Sequence, residues 1–224
     1  MSIPNMTKDA VFDDQITVTP VAHMGGDIDI ARNAWVSTQG ERAADEQDIE
    51  RVAGLINFLM KGRHGSPFES VVFKFLVKAP IFVWREHHRH RMMSFNEESG
   101  RYKQLAPEFY IPSPQRNLIQ IGKAGEYSFV PGTPEQTAMV GDAFKQANIN
   151  AYATYEQLLD QGIAREVARM CLPVNIYSSC YVTVNARSLM NFLSLRTTNP
   201  DSLFPSFPQR EIEMVAEKYE REFQ

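Results

Sequence analysis

Two spacings of apolar residues divide the chain into strands and helices. Ile16, Val18 and Pro20 alternate with Thr17, Thr19 and Val21, which predicts a half-buried strand over 15–21 behind a polar, loose tail over 1–14. Val71, Phe73, Phe75 and Val77 repeat every second residue and predict a strand over 71–78, closed by Ala79-Pro80. Ile176 begins a β-branched and aromatic run predicted as a strand over 176–184. Helical spacing of Ile49, Val52, Ala53, Ile56 and Met60 predicts a helix over 45–61, with Asp45 and Asp48 at its start and Gly62 at its stop. Further helices are expected over 27–37, 164–172, 186–196 and 209–223, and one that opens near Pro80 and carries Trp84 to about Arg91. A long one over 133–162 opens with Thr133-Pro134-Glu135. Residues 94–100 and the Gly- and Pro-rich 115–132 read as loop, the second as a surface excursion. Strands and helices are interspersed, without a phosphate-type glycine loop. That pattern predicts an α+β single domain rather than a doubly wound sheet.

Composition narrows the class. The chain has 224 residues, 43% apolar and 22% charged, ordinary for a soluble globular protein. A net charge of −4 argues against a general nucleic-acid binder. No basic-then-apolar leader is visible, and no apolar run approaches the ~20 residues that cross a bilayer. Cys171 and Cys180 lack metal-ligand spacing and read as two free thiols of a reducing cytosol, giving a cytoplasmic expectation with no membrane partner.

The densest chemistry lies in Arg89-His90-Arg91-Met-Met-Ser94-Phe-Asn96-Glu97-Glu98-Ser99-Gly100-Arg101. Arginine outnumbers lysine three to none there, and its rigid donor fork suits phosphate or carboxylate. An anionic, hydrogen-bonding small molecule is the implied ligand. Read as plain surface, the same charges would be weak ion pairs. Adjacent histidines His87, His88 and His90 diverge on a helix and have no cysteine beside them, so no metal is expected. Ser99 has no strand-elbow-helix context for a nucleophile.

This run resembles the RHRxxSxNExSxR signature of the flavin-dependent thymidylate synthases, and the likeness extends from about residue 27 to the C-terminus. The resemblance implies one domain over 15–224 with a mainly antiparallel sheet flanked by helices, and reductive methylation of dUMP to dTMP. It implies 5,10-methylenetetrahydrofolate as carbon donor, FAD as cofactor, NADPH as reductant, and a homotetramer with shared active sites. It places Arg89, His90, Arg91, Asn96 and Glu97 on flavin, and Glu97, Glu98, Ser99, Gly100 and Arg101 on dUMP, with Arg101 toward the phosphate. Glu86 and Arg89 are nucleotide contacts by the same likeness, and His87 and His88 reach the nucleotide through backbone atoms. His64-Gly-Ser66-Pro-Phe-Glu69 resembles another family segment, which puts Ser66 on flavin and His64 in the flavin or folate pocket. Ser70 stands where relatives often have histidine, and Ser37 aligns with a serine near the flavin phosphates.

In the C-terminal half, Arg165-Glu-Val-Ala-Arg169 resembles the helix of a nucleotide-binding arginine, and Arg169 is that position. A bland ion pair with Glu166 suits Arg165. Asn185, Arg187 and Asn191 are implied flavin contacts, the last two on one helix face. Arg196 is implied to hold the uracil ring, where a guanidinium stabilises negative charge. Thr197 to Ser206 looks like an insertion, and Phe207 replaces the usual flavin-contacting histidine, leaving Gln209 as the remaining contact. Two other classes compete: a non-catalytic nucleotide or nucleic-acid binding module, and a flavoprotein of this fold with another substrate.

Overall fold

The structure, a computed structural model, describes residues 10–40, 49–123 and 126–223. In chain order these form β1 (Val11–Asp13), β2 (Thr17–Met24), α1 (Asp27–Gln39), α2 (Ile49–Lys61), a 3-10 helix (Ser66–Ser70), β3 (Val72–Pro80), α3 (Ile81–His87), β4 (Met93–Glu97) and β5 (Glu108–Tyr110). Then follow β6 (Ile119–Lys123), β7 (Glu126–Val130), α4 (Pro134–Asp160), α5 (Arg165–Ala168), a 3-10 turn (Arg169–Cys171), β8 (Tyr177–Asn185), α6 (Ala186–Arg196) and α7 (Arg210–Phe223). The α+β class is as the apolar pattern predicts, and the antiparallel sheet with flanking helices is as the resemblance implies. The chain divides into two compact units, each assembled from three segments.

The described residues within 1–15, 79–84 and 98–178 form the first unit. Its core joins Leu105, Phe109, Tyr152, Tyr155, Ala168 and Ile176. Tyrosines do double duty there: Tyr152 donates its hydroxyl to the Leu105 carbonyl at 2.8 Å while its ring packs edge-on against Phe109. The apolar body is buried and the polar tip has a partner. Helix α4 begins with a reciprocal cap: the Gln136 N–H donates to Thr133 Oγ1 and the Thr133 N–H to Gln136 Oε1. Residues 11–13, expected within a loose tail, instead form β1, paired in parallel with β5, and Phe12 stacks on Phe109. The excursion expected over 115–132 is corrected too, because β6 and β7 pair as an antiparallel hairpin. Its aromatic residues Tyr127 and Phe129 are exposed, so no buried alternation announced it.

The second unit comprises residues 16–78, 85–97 and 179–224. It holds the four-stranded sheet in the order β2-β3-β8-β4, with β2 antiparallel to β3 and β4 antiparallel to β8. Pro20, which has no N–H to give, sits on edge strand β2 beside an irregularity in register. The β3 stripe is as expected: Val71, Phe75 and Val77 are buried. Tyr219 of α7 meets Phe75 edge-on at 4.8 Å, and Phe223 meets Phe73 at 5.5 Å, so α7 covers this sheet face. The 94–100 loop is corrected over its first half, where Ser94 to Glu97 pair with β8. Only Met93 of this edge strand is fully buried, so the sequence carries little apolar signal. The helix expected to open near Pro80 does so, as α3, but it ends at His87 rather than near Arg91, and the residues beyond become a turn in which the Arg89 N–H donates to the Glu86 carbonyl. The proposed start of α2 at Asp45 and Asp48 lies outside the described residues. Among the described residues, no helix is long and apolar enough to cross a membrane.

Two substitutions separate packing from capping. Leu189→Ala, at a fully buried position of α6, should cost about 2–5 kcal/mol. Thr133→Ala should cost about 1 kcal/mol through the lost cap. Urea unfolding of the two variants should reproduce that order.

Candidate active site

In the second unit, three polar residues meet at the end of α6. Arg196 donates from Nε to His90 Nε2 at 3.0 Å and from Nη1 to Glu86 Oε2 at 3.1 Å. The side chains of Arg196 and Glu86 are 21% and 30% exposed, enough shelter to strengthen the pair and enough opening to admit a ligand. His90 leans edge-on against Phe192, one helical turn before Arg196, with ring centroids 4.6 Å apart. Burial and then the Arg196 charge hold the His90 imidazole down at about 4, so it is neutral at pH 7 and offers a lone pair. His87 lies deeper. Its ring is 0% exposed among Phe95, Phe192 and Tyr219, its Nε2 is 3.1 Å from the Tyr219 hydroxyl, and burial lowers it to about 3.

A second cluster of this unit joins α1, the 3-10 helix at Ser66–Ser70 and α6, since both α-helices pack against that 3-10 helix. Asn33 of α1 donates to Ser70 Oγ, and Arg187 of α6 donates to Glu69. Gly65 makes this approach possible: a Cβ there would lie 2.7 Å from Arg187 Nε. Asn185 caps α6, its Oδ1 accepting from the Ser188 N–H at 2.8 Å. Ser37, Ser66, Arg187 and Asn191 are all exposed on these elements.

The first unit carries its own cationic turn. The Tyr102 and Lys103 N–H groups donate to the Ser99 carbonyl, and the Arg101 N–H to Ser99 Oγ. Gly100 is buried, and a Cβ there would crowd the Arg169 stem at 3.2 Å, so this glycine lets Arg169 lie along the turn. Arg101 pairs with Glu166 at 3.0 Å with both side chains 53% exposed. Such a pair contributes little and yields readily to a stronger anion.

Residues 20–224 match the Thy1 family, described as thymidylate synthase complementing protein. A flavin-dependent thymidylate synthase of Streptomyces coelicolor is 56% identical over 211 residues, spanning 93% of this chain and 86% of the relative. One of Tropheryma whipplei is 54% identical over 213 residues, spanning 95% and 89%. Among solved structures, the UMP/dUMP methylase PolB of Streptomyces cacaoi bound with 5-bromo-dUMP superposes with a TM-score of 0.89 at 48% identity, covering 95% of this chain and 92% of that one. The chain belongs to the flavin-dependent thymidylate synthases.

Set against the thymidylate synthase signature, the residues fall into separate groups. Glu86, His90 and Arg196 come together as described. Arg89 and Arg91 are exposed in the turn after α3, and Asn96 and Glu97 are exposed on β4. Ser99, Gly100, Arg101 and Arg169 gather on the first unit's turn, where Glu98 pairs with Lys103. The His87 ring belongs to the core, which leaves only its backbone for the nucleotide contact expected of it, and the His88 ring faces Phe95 at 4.6 Å. Glu166 partners Arg101 rather than Arg165, whose guanidinium reaches the Tyr102 carbonyl at 3.5 Å. Asn185 spends its side-chain oxygen on the α6 cap. His64 is exposed and stacked on Phe58. Phe207 is 79% exposed, and Gln209 donates to Glu211. The inserted 197–206 loop is closed on itself, Ser206 Oγ donating to the Thr197 carbonyl at 2.6 Å. Sequence reasoning missed Phe192, Gly65 and the Glu69–Arg187 pair; Phe192 stands four residues before Arg196 on α6, a spacing that could have flagged it.

The two neutral histidines set an acid limit. The unfolded chain takes up their protons near 6.5, the folded one only near 4 and 3. Their stabilising effect is therefore complete above pH 6.5 and is lost as the pH falls from there toward 4. Urea midpoints at fixed protein concentration should fall between pH 7 and 5, and His87→Gln should flatten that fall.

Proposed function

We propose that the chain methylates dUMP reductively to dTMP in the cytoplasm, taking carbon from 5,10-methylenetetrahydrofolate and using FAD reduced by NADPH. The observation that carries this reading is the Arg196 guanidinium held by Glu86 and neutral His90 in a chain that matches the family over residues 20–224. Arg196 offers fixed N–H donors to a uracil carbonyl or N3, where negative charge develops as C5 becomes nucleophilic. Cys180 is a poor alternative activator, since burial pushes its thiol up to about 11 and away from the reactive thiolate. The Cys171 thiol is directed at the Ala168 carbonyl at 3.1 Å, a structural contact.

The exposed hydroxyls, amide and guanidinium of Ser37, Ser66, Asn191 and Arg187 suit a ligand with phosphates and a polar ring edge. Gly65 supports the fit by leaving Arg187 room against the 3-10 helix. Bound flavin supplies the hydride for the reductive step. Arg101 and Arg169 bind the dUMP phosphate, with Ser99 and the Gly100 backbone adding neutral contacts. Arg89, Arg91, Asn96 and Glu97 complete the flavin and nucleotide contacts. A homotetramer is the proposed assembly, supported by large exposed apolar side chains such as Met92, Tyr102, Met170 and Phe204.

One observation favours a second acceptor. PolB, described as acting on UMP as well as dUMP, was also crystallised with 5-bromo-UMP and is 46% identical in that complex. Assays on both nucleotides decide it: methylation of dUMP alone removes the second reading.

The purified chain, given 5-tritiated dUMP, methylenetetrahydrofolate and NADPH, should release tritium and form dTMP; flavin-loaded protein that forms none overturns the proposal. Arg196→Ala should keep its flavin and lose about 10²–10³ in kcat. Arg101→Ala should chiefly weaken dUMP binding, by roughly 10- to 100-fold, as expected for a lost charged hydrogen bond. Gly65→Ala should lower the flavin content of purified protein, read from its visible absorbance, while the urea midpoint holds.

A further inference from the structure

We propose that His90 is a positioning residue for Arg196: its imidazole accepts from Arg196 Nε and, with Glu86 on Nη1, fixes the guanidinium plane in which the uracil ring is met. The inference rests on the reading of Arg196 as the uracil-activating group and adds to it the device that aims that group.

The geometry carries the argument. A guanidinium has five N–H donors in one plane. His90 and Glu86 bind two of them, on Nε and Nη1, at 3.0 and 3.1 Å. Three N–H groups remain for a ligand, and two anchored nitrogens define the plane in which those three lie. An arginine tied by Glu86 alone would pivot about that contact. Accepting from Nε requires a lone pair on His90 Nε2, so the ring hydrogen sits on Nδ1. Burial and the Arg196 charge both favour that neutral form. Phe192 packs edge-on against the ring and limits its swing, and the His90 backbone N–H donates to the His87 carbonyl at 3.0 Å, which fixes the turn that carries it. His87 in turn is locked in the core beside Phe192 and Tyr219. A chain of packed groups thus runs from the core to the reactive cation. Lysine in place of Arg196 would have no Nε–H to accept from and no plane to fix.

The test separates His90→Phe, which keeps a ring against Phe192 and loses the acceptor, from His90→Gln, which restores an acceptor without the ring. The probe is 5-bromo-dUMP titrated onto the flavin-loaded protein, because its N3 ionisation changes the ultraviolet spectrum and reports how well a cation stabilises the uracil anion. H90F should move that ionisation to higher pH, lower kcat about tenfold or more, and leave the flavin content and the KM for dUMP near those of the unaltered protein. H90Q should recover most of the ionisation and most of kcat. Unchanged ionisation in H90F, or H90Q as impaired as H90F, overturns the positioning role; loss of flavin from H90F with ionisation intact assigns His90 to the cofactor instead. Arg196→Ala in the same titration distinguishes the two levels: if it leaves the ionisation unchanged, the reading of Arg196 itself fails. Should H90F not fold, by circular dichroism, H90L against H90Q makes the same comparison.

Discussion

A cation kept beside a neutral imidazole is the constraint on which the second unit depends. Arg196 needs an acceptor on Nε, and a histidine in water near its ordinary range would compete by taking a proton. The fold removes that competition by shelter: Phe192 covers one edge of His90, and the aromatic group of Phe95, Phe192 and Tyr219 encloses His87 next to it. Sheet, α6 and α7 all contribute to that enclosure. The packing that stabilises the unit is therefore the same packing that shelters the Arg196 acceptor and keeps the histidines uncharged.

The first unit uses another strategy. Its cations are exposed, and the Arg101–Glu166 pair is weak enough to be exchanged. Strength there comes from backbone shape: a turn closed on Ser99 and a glycine that lets the Arg169 stem lie close. Exposed guanidinium groups in a fixed turn suit a mobile anion that must enter and leave. A half-buried guanidinium suits a ring that must be held in one orientation. The difference in burial between Arg101 and Arg196 matches the two tasks proposed for them.

Much of the scaffold was legible because its elements have one buried face. The boundaries of α6 coincide with the residues expected, since Asn185 is both a cap and the end of a strand. Elements without a buried face were not legible: β4 lies at a sheet edge and the β6–β7 hairpin exposes its aromatic residues, so neither shows alternation. In the site, spacing could pair Glu86 with Arg89 across one helical turn, but it could not pair Glu86 with Arg196, 110 positions away. That contact exists because β4 and β8 bring α3 and α6 to the same end of the sheet. Nor could spacing show how the three histidines divide: His87, the last residue of α3, turns its ring into the core, His88 is exposed, and His90 is half-buried against Phe192.

The ten residues between Arg196 and Phe207 leave α6 and return beside it, their two ends joined by the Ser206 hydroxyl on the Thr197 carbonyl. Thr198 is also tied to Glu213 of α7. Whatever lies between those stitches is spliced onto a clasp that both helices already share. A protein engineer thus has a natural graft point, where a shorter link or a foreign peptide can replace the tip while the arginine at the mouth of the helix keeps its aim.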